Sequence, residues 1–99
     1  MIVRVDLAAA QSTLLDPDDF GSFAVRLVGD GDLAAAFGGD VRFDGDDHVW
    51  LGTASVESIA GEARSGEWIQ GFRQMLGAVE RFGWYDPVED AIKAHLERE

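Results

Sequence analysis

Hydrophobic and polar residues change period several times along this chain, and each change marks an element. In residues 2–7, Val3, Val5 and Leu7 alternate with Arg4 and Asp6, the two-residue period of a half-buried strand. Ala8-Ala9-Ala10-Gln11-Ser12-Thr13 has no clear period and reads as a connector. Leu15-Asp16-Pro17-Asp18-Asp19-Phe20 carries helix-start chemistry: Asp16 at the N-cap, Pro17 at the first helical position, two acids facing the helix dipole, and Leu15 and Phe20 as a hydrophobic staple. Phe23, Val25 and Leu27 then alternate among strand formers. This predicts one helical turn at 16–21 and a strand at 23–28. The alternative, with Phe20, Phe23, Ala24 and Leu27 on one stripe, is a continuous helix over 17–28.

Asp30-Gly31-Asp32 introduces a short helix over Leu33–Phe37, which Gly38-Gly39 should stop. Residues 41–51 read as a hairpin of strands 41–44 and 47–51 around Asp44-Gly45-Asp46-Asp47, since Asp-Gly tolerates the positive φ of a tight turn. Ser55 is placed to cap an amphipathic helix carrying Val56, Ile59, Ala60 and Ala63. From Glu67 to Phe82 the period is clearly helical, with Trp68, Ile69, Phe72, Met75, Leu76, Val79 and Phe82 on a wide apolar face. Gly71 and Gly77 each weaken that helix by roughly 1 kcal/mol unless something packs closely against them. Asp86-Pro87-Val88-Glu89 repeats the cap pattern, and a last helix over 87–97 turns Val88, Ala91, Ile92 and Leu96 inward.

These elements predict a single α+β domain over residues 1–99. Its small, mostly antiparallel sheet of three or four strands would be covered on one face by two C-terminal amphipathic helices. A chain of 99 residues with 46% hydrophobic positions can bury one modest core.

Charge narrows the function classes. The net charge is −11, and nine of the twelve aspartates lie between Asp16 and Asp47. Without a basic patch, nucleic acid and anionic membranes are not expected partners, whereas a basic protein would be attracted. The absence of cysteine removes disulfides, thiolate metal sites and a cysteine nucleophile. Arg4 and Asp6 interrupt any signal-peptide core and no apolar run is long enough to span a membrane, so a cytoplasmic location is expected. One Lys, seven Arg and no Asn suggest a G+C-rich bacterial source.

Little chemistry is encoded in motifs. Asp46-Asp47-His48 is the one tight titratable cluster and supplies the candidate catalytic residues, as acid–base groups around an imidazole. Strand neighbours point to opposite faces, which argues for a polar turn instead. An EF-hand register with Gly45 at position 6 puts Arg42 at position 3 and Leu51 at position 12, and both fail. A looser calcium site would have to draw on Asp30, Asp32 and Asp44, two of which helix capping accounts for. Neither His forms a metal motif, no phosphate or dinucleotide loop is present, and no cofactor is expected. His95 falls beside the apolar stripe of the expected last helix and reads as a structural histidine.

Trp68, Phe72, Trp84 and Tyr85 crowd the third helix and its end, as core or as a partner-binding surface. The leading expectation is a non-enzymatic protein acting by protein–protein interaction or self-association, a homodimer included. The alternatives are a small acid–base enzyme using Asp46, Asp47 and His48, or an acidic inhibitor or antitoxin-like protein that masks a basic partner. Of the clustered aspartates, Asp16 and Asp30 read as caps, Asp18, Asp19 and Asp32 as first-turn acids, and Asp44, Asp46 and Asp47 as turn residues. Asp40 alone has no local role.

Overall fold

The alternating segments form one mixed sheet. The computed structural model describes residues 1–38 and 40–99. Its strands are β1 (Ile2–Asp6), β2 (Gln11–Leu15), β3 (Ala24–Val28), β4 (Val41–Asp44), β5 (His48–Gly52), β6 (Tyr85–Asp86) and β7 (Ala91–Arg98). The order across the sheet is β2-β1-β3-β7-β5-β4, with β6 also paired to β7. β3 runs parallel to both β1 and β7, and the remaining pairs are antiparallel. The α-helices among the described residues are α1 (Leu33–Phe37), α2 (Thr53–Ala60) and α3 (Gly66–Glu80), and a 3-10 turn at Gly61–Ala63 follows α2.

This corrects the expected three- or four-stranded antiparallel sheet with two C-terminal helices: the sheet has seven strands, and the last expected helix is a strand. Asp86 starts the turn as a cap should, its Oδ1 accepting from Val88 N (2.9 Å) and Glu89 N (3.3 Å). Asp90 then adopts φ 51°, a left-handed conformation that no helix continues through. Beyond it, Ile92, Ala94 and Leu96 are buried while Lys93, His95 and Glu97 point the other way. The segment fits both periods, and a position between β3 and β5, with partners on both edges, decides for the strand.

Smaller corrections concern connectors and caps. Gln11–Leu15, expected as connector, pairs with β1 through a turn in which Ala10 takes φ 54°. Residues 16–21 form turns without a helix, and Asp16 has φ 48°. Asp32, rather than Asp30, caps α1 by accepting from Ala34 N. Gly38 closes α1 at φ 69°, and its expected companion Gly39 lies outside the described residues. α2 starts before Ser55, with Gly52 in the cap position. Thr53 N donates to Asp90 O (3.0 Å), so the β6–β7 turn does the work of a side-chain cap. α3 is capped by Ser65, whose hydroxyl accepts from Trp68 N (3.1 Å).

All three helices lie on one face. Val3, Val5, Val25, Leu27, Val49, Leu51, Ile92, Ala94 and Leu96 from the strands share a core with Leu33, Phe37, Val56, Trp68, Phe72, Met75 and Leu76 from the helices. The sheet curls around them, since α1 touches β4 as well as β1 and β2, and α2 touches both β5 and β2. Among the described residues, no helix packs on the opposite face.

Candidate functional site

Strand alternation that sends aliphatic residues into the core sends a different set to the helix-free face. In register across the middle of that face lie Arg42, Trp50 and Lys93, then Asp44, His48 and His95. The His48 and His95 rings meet edge to face at 5.5 Å between centroids, and Trp84 abuts His48 at 5.3 Å. Lys93 lies over the Trp84 ring and Arg42 over the Trp50 ring, at 5.1 and 5.3 Å.

The cations of this face are already engaged. Lys93 Nζ is 3.4 Å from Asp44, Arg26 is 3.3 Å from Glu97, and Arg4 is 3.9 Å from Glu99. Trp50 Nε1 donates to Asp44 Oδ2 at 3.1 Å. That bond, reinforced by Lys93, holds the Asp44 carboxyl below the usual carboxylate range. The acids at the two ends of β5 are different, Asp46 and Asp47 in the turn before His48 and Asp40 and Glu89 beside Gly52. Among the described residues no cation lies within ion-pair distance of Asp40, Asp46, Asp47 or Glu89. Asp40 and Glu89 line a recess of about 250 Å³ with Val41, Arg42, Trp50, Gly52 and Ala91. A smaller apolar notch of about 130 Å³ opens beside Trp84, between Phe20, Phe23, Met75, Val79 and Ile92.

The candidate catalytic residues are not drawn together. Asp46 and Asp47 are exposed in the β4–β5 turn, and no hydrogen bond joins either carboxylate to His48 among the described residues. The Asp47 carbonyl instead accepts from Leu96 N at 2.7 Å. The aromatic candidates divide. Trp68 (3% exposed) and Phe72 (0%) stack in the core at 5.0 Å, and Trp68 Nε1 donates to Pro17 O at 2.8 Å. Trp84 is half-buried at the edge of the open face.

Tyr85 belongs to a second polar group, where its hydroxyl donates to Asp90 Oδ1 at 2.7 Å. Arg73 bridges Asp90 (3.2 Å) to Glu57 (2.7 Å), which ties the β6–β7 turn to α3 and α2. The Tyr85 bond, with Arg73 acting in the same direction, keeps the Asp90 carboxyl low and raises the Tyr85 phenol.

Sequence reasoning missed the His48–His95 pair and Lys93 because it put residues 87–97 on a helix. The strict alternation Ile92-Lys93-Ala94-His95-Leu96 was the signal that could have found them. No group of three or more histidine or acidic side chains among the described residues is arranged to hold a metal ion. No helix among them is long and apolar enough to cross a membrane. No family model matches the chain, and no curated protein or solved structure matches it either.

Proposed function

We propose that the protein is a non-enzymatic interaction module that docks a basic protein surface on the helix-free face of its sheet. One observation carries this reading: Arg4, Arg26 and Lys93 on that face are ion-paired within the molecule and Arg42 lies over Trp50, whereas Asp40, Asp46, Asp47 and Glu89 beside Trp50 and His48 have no cationic partner among the described residues. A net charge of −11 would steer a basic surface toward the molecule, and partly buried Trp50 and Trp84 would anchor it. An inhibitor that masks a basic partner would act through the same chemistry.

The test is site-specific photo-crosslinking in cells of the source organism, with the probe at position 95 on the open face or at position 70 on α3. Adducts from position 95 should identify a protein with a basic surface. Binding of that purified partner should slow about tenfold between low and high salt. Self-adducts from position 95 would replace the basic partner with a second copy of the chain. Adducts from position 70 alone would overturn the use of this face.

A further inference from the structure

We infer that the recess beside Trp50 is a subsite for a single cationic side chain of the docked partner, arginine above lysine, and that Arg42 occupies part of it in the free protein. This rests on the reading of the helix-free face as the docking surface.

The recess is built by two small residues. Gly52 and Ala91 pair across β5 and β7 and leave a gap beside the long side chains of Trp50, Arg42 and Lys93. A Cβ at Gly52 would come within 3.1 Å of Asp40 Cβ and 3.4 Å of Asp40 Oδ2, so Asp40 stands directly over that gap. Asp40 was also the one clustered aspartate with no capping or turn role, and the recess supplies one. Its volume, about 250 Å³, is below the roughly 300–1,000 Å³ of drug-sized ligand sites and suits one side chain.

The lining selects the charge and shape of the occupant. Two carboxylates without cationic partners, Asp40 and Glu89, repel an anion. A hard metal ion would want six or more oxygens, and the rest of the lining is Val41, Arg42, Trp50, Gly52 and Ala91, of which Arg42 is itself a cation. Trp50 is preorganised, because its N–H is tied to Asp44 and its ring plane is thereby fixed. Its ring already carries a guanidinium, that of Arg42, at 5.3 Å. A planar guanidinium can stack on that ring and pair side-on with a carboxylate, which an ammonium cannot do. An incoming arginine therefore exchanges with Arg42, and Arg42 lowers the apparent affinity of the site.

The experiment uses a fluorescent octa-arginine peptide, with its neutral octa-citrulline counterpart, on the intact protein. Binding is followed by anisotropy and by amide and indole resonances. The arginine peptide should shift Trp50 Nε1–H and the Gly52 and Ala91 amides, and the citrulline peptide should not. Glu89→Gln alone and Asp40→Asn with Glu89→Gln should weaken binding progressively, together by about three- to tenfold. Arg42→Lys keeps the charge but stacks less well, and should tighten binding about two- to threefold.

Unchanged affinity in the carboxamide variants, or weaker binding by Arg42→Lys, would overturn the subsite. Shifts around Trp84 and His95 with a silent recess would overturn it while leaving the docking face standing. Shifts confined to α2 and α3 would overturn both.

Discussion

The two faces of the sheet are made by the same strands and follow opposite rules. On the covered face the side chains are aliphatic, and Val3, Val5, Val25, Val49, Leu51 and Ala94 have no exposed surface. Their contribution is burial, which is non-directional and adds with area. On the open face the contacts are pairwise and directional: Arg26 with Glu97, Lys93 with Asp44, Arg42 on Trp50. Each is partly solvated and worth little alone. β7 carries both rules in alternate residues. Stability is concentrated on one face, so the other is free to vary its chemistry without unfolding the protein.

The largest expected effect tests the covered face. Phe72→Ala removes a fully buried ring stacked on Trp68 and should cost about 3–5 kcal/mol. Urea denaturation would measure it. A loss below about 1 kcal/mol would mean that the core does not carry the stability assigned to it.

Next in size is a pair of glycines on α3. A Cβ at Gly71 would lie 2.6 Å from the Phe20 ring, whereas one at Gly77 meets nothing within 4 Å. Gly71→Ala should destabilise by about 1–3 kcal/mol despite the better helix propensity of alanine. Gly77→Ala should stabilise by about 0.5–1 kcal/mol. Equal shifts of thermal midpoint for the two variants would mean that Phe20 does not pin the 16–22 segment to α3.

On the helix side, at the end of the sheet, the Tyr85–Asp90 bond has a pH profile as its signature. Tyr85→Phe should cost about 1 kcal/mol at neutral pH, because Asp90 is half exposed and water competes for the carboxylate. Asp90 is depressed in the folded state, so its contribution is complete above its ordinary pKa of 3.8 and is lost as pH falls below it. Tyr85 is raised, so its contribution is complete below its ordinary pKa of 10.0 and is lost as pH rises beyond it. Tyr85→Phe should therefore flatten the stability profile at both ends. A variant that retains both losses would place their origin elsewhere.

What the sequence made legible follows the same division. α3 and the strands β1, β4 and β5 announce themselves because one period dominates each, whereas β3 also fits a helical stripe through Phe20, Phe23, Ala24 and Leu27. β7 does not, since Ile92 and Leu96 satisfy the helical and the extended period alike and only the neighbouring strands decide. The Asp-Pro starts at Asp16 and Asp86 were read as helix caps. Asp86 does accept the expected N–H bonds, but a left-handed residue at Asp16 or Asp90 diverts the chain, and such residues leave no periodic trace. The recess at Trp50 was illegible because it joins Asp40, Trp50 and Glu89 across a sheet order that local pattern does not encode.

The smallest expected effect tests the comparison most directly. Arg26 and Glu97 face each other across β3 and β7, with Nε and Nη2 both 3.3 Å from Oε2. This is the best-formed ion pair on the open face, and if directional contacts stabilised that face, its loss would be felt. Its side chains are 31% and 40% exposed, so water and salt screen the pair and ordering two long side chains offsets much of the attraction. Arg26→Gln should therefore shift stability by no more than about 0.5 kcal/mol. A double-mutant cycle with Glu97→Gln should give a coupling of similar size that vanishes in molar salt. A coupling above about 1 kcal/mol would mean that the open face holds the fold together as well as facing a partner. Substitutions there would then alter binding and stability at once.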